Sequence, residues 1–307
     1  MTTNITLPTA IEMVEVGPRD GLQNEPELVS TADKLGLIER AIKAGFRRLE
    51  VASFVNPRKV PQMADAEDVC ANLPVRSDVT YIGLVMNLRG AERALATGRI
   101  DQLGAVCVAT DSFAMANQGQ TSDQSVAAAK EIVALARAHG RTAQVTIGAS
   151  FGCPFEGEVN PDRVVAMAAE IASAGPVEVA IADTIGVADP LHVSQLVDRV
   201  RKAVAALPVR VHFHNTRGTG LANVWAAINS GATVIDASLG GLGGCPFAPG
   251  AAGNVATEDV AYMLGRAGIN TGLNLDGLIS TNRWLSEVMN KPLPAMVSRA
   301  GGFPRKG

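Results

Sequence analysis

The sequence has no charge excess of either sign, no long apolar run and no pairing pattern among its cysteines. Each gap removes a class of protein. Lys and Arg number 27 against 30 Asp and Glu, a net charge of -3 over 307 residues. So even a balance offers no footprint for a polyanion, and no nucleic-acid partner is expected. No stretch approaches the roughly 18 apolar residues that cross a bilayer. Residues 1–9 also lack the basic start and apolar run of a secretory signal. No membrane partner is expected, and the reading is a cytoplasmic protein. Cys70, Cys107, Cys153 and Cys245 form no CxxC pair, so neither a zinc ribbon nor a disulfide scaffold organises the chain. No Gly-x-Gly-x-x-Gly follows the first strand-like run, and no Gly-x4-Gly-Lys-Ser/Thr occurs, which disfavours nucleotide-binding α/β folds.

What the chain has is apolar residues, 47% against 19% charged, enough to bury a large core. Its length alone suggests two domains, but barrels of about 250 residues fold as one. Eight β-rich runs stand out: Ile11–Gly17, Arg48–Phe54, Thr80–Val85, Leu103–Ala109, Gln144–Ser150, Glu178–Asp183, Val209–Asn215 and Thr233–Leu239. Helix-periodic stretches lie between them, among them Thr31–Ala44, Ser122–His139, Pro161–Ala174 and Pro190–Leu207. Ser30, Thr31, Thr121, Asn160 and Asp189 are available as caps. Eight strand–helix units without a break in composition predict a single (β/α)₈ TIM barrel over about residues 11–270, in one domain. A short helical extension over about 274–307 completes it.

Active sites of such barrels lie on the loops at the carboxyl ends of the strands, and the unusual residues fall there. Arg19 and Asp20 follow the first run, Glu50 lies in the second, Asn87 follows the third and Asp183 closes the sixth. His212 and His214 are two apart in the seventh, so strand alternation points both imidazoles the same way. Two such imidazoles are half of a metal site, which a carboxylate such as Asp20 would complete with positions left open. The plain alternative is two ordinary histidines at a strand end. It is weakened because the chain has only four histidines, and the other two, His139 and His192, fall in helix candidates.

The segment Val16 to Glu25 reads as a turn, yet a turn does not account for Arg19, which is costly to bury without an anionic or carbonyl partner. A donor to a developing oxyanion does. After the eighth run, Gly240 to Asn254 holds six glycines and no phosphate-loop lysine. Such a loop can move or approach a ligand closely. Its Cys245 suits acid–base or nucleophilic chemistry, with a packing thiol as the alternative, and Asn254 is placed to return an oxygen ligand to the barrel mouth. Cys153, in a second Gly-Cys-Pro-Phe, is read as packing.

These residues resemble 3-hydroxy-3-methylglutaryl-CoA lyase, a family of metal-dependent barrel lyases and condensing enzymes. The resemblance runs from about Val14 to Gly272. It is carried by Val14–Glu25, Ala52–Val55, Val60–Met63, Asp183–Val187 and above all Gly240–Asp259. It implies that Asp20, His212, His214 and Asn254 bind divalent Mg²⁺ or Mn²⁺. It implies further that Arg19 stabilises an acyl-CoA enolate, that Cys245 exchanges a proton and that Glu50 and Asp183 support the chemistry. The implied reaction is cleavage of hydroxymethylglutaryl-CoA, or a relative such as citramalyl-CoA, to acetyl-CoA and a keto acid, in a homo-oligomer. Other expectations kept open are a condensing enzyme and a non-catalytic acyl-CoA-binding barrel. Four positions depart from the family pattern and bear on the acyl group: Lys59, Asp111, Asn215 and Arg217.

Overall fold

Strand β1 (Glu12–Glu15) pairs on one side with β2 (Arg48–Ser53) and on the other with β8 (Val234–Ala237), so the sheet closes on itself. Between them run β3 (Thr80–Val85), β4 (Gln102–Val108), β5 (Thr142–Gly148), β6 (Val179–Asp183) and β7 (Val209–Phe213), all parallel and in sequence order. The computed structural model describes residues 7–244 and 253–304. The chain returns from strand to strand through helices on the outer face. These are α1 (Thr31–Lys43), α2 (Ala66–Ala71), α3 (Leu88–Ala96), α4 (Asp111–Gln118), α5 (Ser122–Ala138), α6 (Pro161–Ala172), α7 (Pro190–Ala203), α8 (Gly220–Asn229) and α9 (Thr257–Arg266). Two further helices follow, α10 (Leu275–Val288) and α11 (Met296–Ala300). The expected closed barrel with a helical extension is the observed architecture.

Local signals place the helix starts. Ser30, Thr121, Asn160 and Asp189 each accept a backbone N–H of the first turn, a cap that contributes about 1 kcal/mol. Thr31 is not a cap: it is the first residue of α1, and its hydroxyl donates to Asp65 at 2.7 Å. Asn87 is the cap of α3, accepting from the Gly90 N–H at 2.9 Å. Helix α7 stops at Ala203, short of the expected Leu207, because Ala205 takes a left-handed φ of 57° and unwinds the last turn.

Two apolar layers result. Outward strand residues such as Leu49, Val145 and Val211 meet helix residues such as Leu37, Ile132 and Val197 in one continuous core. Each such buried side chain contributes about 1.5–3 kcal/mol. The lumen is different. Among the described residues, only Val14, Val16, Ile82 and Val234 form an apolar cluster apart from the main core. The inward positions at the same levels carry Arg48, Glu50, Gln144, Arg210 and Asp236, all but Arg48 buried. The extension braces the top of the barrel, since Trp284 of α10 packs on Gly36 of α1 and the Ala295 N–H donates to the Gly240 carbonyl at 3.1 Å.

Candidate active site

Strand β1 ends at Glu15 rather than Gly17, because residues 17–21 wind into one wide helical turn. The Val16 carbonyl accepts the N–H groups of Arg19, Asp20 and Gly21 at 3.1, 2.7 and 3.2 Å. Single turns with this i to i+5 bond concentrate at functional sites. Pro18 fits because its missing N–H belongs to the first turn, where it has no intrahelical partner. Gly17 leaves room for the Glu15 carboxylate, which a Cβ there would meet. The turn aims Arg19 and Asp20 at the barrel mouth.

His212 lies in β7 and His214 one residue beyond its end, with ring centroids 5.2 Å apart. Their Nε2 atoms are 3.7 and 3.8 Å from Asp20 Oδ2. One ligand atom from each of the three lies within 4.8 Å of the others, so the trio could hold a metal ion. Asn254 joins them from the far end of the glycine-rich segment, where it bridges to His214. Its Nδ2 donates to Asp20 Oδ2 at 2.8 Å and to the Leu242 carbonyl at 3.0 Å. Its Oδ1 is buried with no hydrogen-bond partner among the described residues. A buried orphan oxygen is costly unless something else satisfies it. Beside a carboxylate and two imidazoles it completes a donor set that fits a divalent cation.

Arg19 is gripped from two sides, its Nε by Glu50 and its Nη1 by Asp20. Those bonds use two of its five N–H donors and fix the plane of the fork. Burial pushes the Asp20 carboxyl up, but Arg19 and both imidazoles outweigh it and hold it well below the usual carboxylate range. It is an anion at neutral pH, as a ligand must be. Asp183 closes β6 as expected, and both its oxygens are engaged by the Val187 and Ala188 N–H groups at 2.9 and 3.0 Å. Burial raises its pKa despite those donors. It pins the loop after β6 beside the cluster. Cys245 lies outside the described residues.

The departures from the family pattern separate. The Arg217 guanidinium donates to the Ile185 and Gly186 carbonyls, both at 2.9 Å, and so straps that same loop. Asn215 accepts the Gly220 N–H at 3.0 Å and shapes the entry to α8. Asp111 accepts the Ser122 N–H at 2.8 Å. Lys59 is exposed.

Five buried charged residues near the site escaped the sequence reading. Asp236 accepts from His212 Nδ1 at 3.1 Å, and Arg210 and Glu178 stand behind it. The available signal was an acid or base inside an apolar strand run, as in Val-Ile-Asp-Ala. Glu15 and Glu258 hold the stem of the glycine-rich segment. Glu15 accepts the Gly17 and Leu239 N–H groups, both at 2.8 Å, and the Thr257 hydroxyl at 2.7 Å. Glu258 accepts the Gly240 N–H at 3.0 Å.

Burial lifts the Glu15 carboxyl to about 8 against its three donors and the Glu258 carboxyl to about 7. Each is therefore protonated in the folded chain where the unfolded chain has already ionised. Their stabilisation is full below about pH 4.5 and is lost as pH rises through about 7 to 8. The Glu15→Gln variant is expected to show a smaller fall in Tm between pH 5.5 and 8.5 than the unaltered protein. Melting curves at the two pH values check this, and an equal fall in both would refute it.

The HMGL-like family model matches residues 10–285. The chain is 42% identical to (R)-citramalyl-CoA lyase of Chloroflexus aurantiacus over 302 residues, covering 95% of each. It is 38% identical to hydroxymethylglutaryl-CoA lyase of Bacillus subtilis over 288 residues, covering 94% of this chain and 96% of that one. Among solved structures, an HMG-CoA lyase from Acinetobacter baumannii in complex with coenzyme A and 3-methylmalate superposes with a TM-score of 0.91. It is 38% identical, and the match covers 100% of both chains.

Proposed function

The chain belongs to the HMGL-like family, and we propose from that premise how this carbon–carbon lyase cleaves a tertiary 3-hydroxyacyl-CoA. The substrate we assign is hydroxymethylglutaryl-CoA, whose cleavage between C2 and C3 yields acetyl-CoA and acetoacetate. The observation that carries the reading is the Asp20, His212, His214 cluster with the orphan Asn254 oxygen beside a doubly held Arg19. A second substrate is favoured by the 42% identity to a citramalyl-CoA lyase. Citramalyl-CoA is one methylene shorter between carbinol and carboxylate and would yield pyruvate instead.

Asp20, His212, His214 and Asn254 would hold Mg²⁺ or Mn²⁺, which when bound supplies Lewis-acid stabilisation of the substrate hydroxyl oxygen as it loses its proton. Arg19, oriented by Glu50 and Asp20, donates to the thioester oxygen as the C2–C3 bond breaks and the enolate forms. Cys245 delivers the proton that turns the enolate into acetyl-CoA, and the hydroxyl proton passes to solvent at the barrel mouth, so one proton is taken up and one released per turnover. Glu50 fixes the arginine, and Asp183 fixes the loop after β6. A groove of about 620 Å³ lined by Arg283, Lys291 and Arg299 adjoins Gly240, against which its Leu293 packs. Its wall also carries Glu287 and its Lys291 is paired with Glu25, so Arg283 and Arg299 are the cations that suit the phosphates of an acyl-CoA.

The experiment is acetyl-CoA release, read by mass spectrometry, from hydroxymethylglutaryl-CoA and citramalyl-CoA in parallel, each with Mg²⁺ and with chelator. Chelator-sensitive turnover favouring hydroxymethylglutaryl-CoA is expected. A preference for citramalyl-CoA selects the second substrate, and no turnover of either refutes both.

A further inference from the structure

Beneath the ligand cluster the barrel lumen holds a column of charges, all but Arg48 buried, that the proposed cleavage has not used. Arg48 grips Glu178 through both oxygens, at 2.6 and 3.0 Å. Arg210 Nη1 reaches Glu178 at 3.2 Å, and its Nε reaches Asp236 Oδ1 at 2.5 Å. Asp236 Oδ2 then meets His212 Nδ1 at 3.1 Å. The signs alternate along the column, so Arg48, Glu178, Arg210 and Asp236 balance as two positive and two negative.

Strand register builds this column. Arg210 and His212 are two apart on β7 and share its inner face. Arg210 faces Val234 and Val211 faces Ile235 across β8, so Asp236 comes level with His212. On the other side β6 sets Ala180 opposite Arg210 and Ala182 opposite His212. These small side chains leave the lumen to the guanidinium and the imidazole. Barrel lumens are ordinarily filled by Val, Ile and Leu. Replacing those with buried ions carries a desolvation cost that well-packed apolar residues avoid, so stability alone is a poor account of the column.

We infer that Asp236, held in place by Arg210, is the positioning residue for His212. It accepts the Nδ1–H, which leaves the lone pair on Nε2, and it turns that atom toward Asp20. Arg210 occupies Oδ1 and stops the carboxylate rotating, so that Oδ2 stays on the imidazole. Partners of this kind set both the tautomer and the aim of a ligating histidine, and their loss typically weakens metal binding 10- to 100-fold. The inference rests on the reading of Asp20, His212 and His214 as metal ligands.

The test uses the Asp236→Asn variant and protein carrying ¹⁵N-labelled histidine, whose spectrum is simple because the chain has only four. In the metal-free unaltered protein, above the imidazole titration, His212 is expected to carry its proton on Nδ1. In Asp236→Asn the side-chain NH₂ can face Nδ1, and the proton is expected to move to Nε2. The Mn²⁺ dissociation constant, from the free-ion signal in electron paramagnetic resonance, should then rise about 10- to 100-fold. Arg210→Lys keeps the charge but loses the planar grip, and should weaken Mn²⁺ by a smaller factor. If Asp236→Asn does not fold, the spectrum of the unaltered protein and the Arg210→Lys affinity decide. An Nε2 proton on neutral His212 in the unaltered protein, or Mn²⁺ affinity unchanged within twofold in the variants, overturns the inference. If the unaltered protein binds no Mn²⁺, the ligand reading itself fails, while the tautomer still reports on the grip of Asp236.

Discussion

Replacing Asp20 with alanine is expected to abolish tight binding of the divalent ion and to lower kcat by about 10³ or more, since Lewis-acid stabilisation is worth several kcal/mol. The geometry makes this residue the hub of the cluster. Its Oδ2 is approached by the Nε2 atoms of His212 and His214 and by the Asn254 amide, and its Oδ1 takes Arg19. The two imidazoles and the amide oxygen that remain bring no negative charge, so the site loses its one anionic donor. Folding should survive, because Arg19 keeps Glu50 and the backbone of the turn is held by the Val16 carbonyl. Equilibrium dialysis with Mn²⁺, together with acetyl-CoA release and circular dichroism, checks the prediction. A folded Asp20→Ala protein that binds Mn²⁺ as tightly as the unaltered one would show that the cluster is not the metal site.

Changing Arg19 to glutamine should act differently: kcat falls by about 10² to 10³ while Mn²⁺ affinity changes only a few-fold. Loss of one donor to an oxyanion typically costs that much in rate. The ligand donors themselves remain. Lysine is not expected to restore activity, because a single ammonium cannot satisfy Glu50, Asp20 and a substrate oxygen at once as the planar fork can. Removing Arg19 also deprives Glu50, only 2% exposed at its side chain, of its hydrogen-bonded cation and so lowers stability, although Arg210 still acts on it. Rates must therefore be expressed per folded molecule. The decisive readout is the split between metal affinity and kcat. Equal collapse of both would make Arg19 a scaffold for Asp20 rather than a donor to substrate.

Much of this site was legible because its residues sit where strand periodicity is strong. His212 and His214 differ by two positions in a strand, and alternation alone puts them on one face. The partner of that pair was less secure from sequence, since Asp20 is 192 residues away and nothing local says which strand end faces which. Barrel closure supplies the answer by setting the turn after β1 opposite the end of β7. Asn254 needed closure too, because its position depends on the segment after β8 folding back onto His214.

Asp236, Arg210 and Glu178 were missed for a complementary reason. Each is an ionisable residue flanked by apolar neighbours, and a run of that kind signals a buried strand without saying what lies opposite. Only strand register and barrel closure turn these three charges, together with Arg48 of β2, into a balanced column beneath His212. Arg217 was open in the sequence between a role toward the acyl group and a place on the rim, and only the fold shows its Nη1 donating to the carbonyls of Ile185 and Gly186.

The sequence by itself determined the eight strand–helix units, the end of the barrel that carries the candidate site and the residue types found there, because period, capping and turn chemistry are local properties. Tertiary structure alone decided which charges meet. Hydrogen bonds and ion pairs act over a few ångströms, and in a closed parallel sheet that distance is set by strand register and closure between residues far apart in the chain.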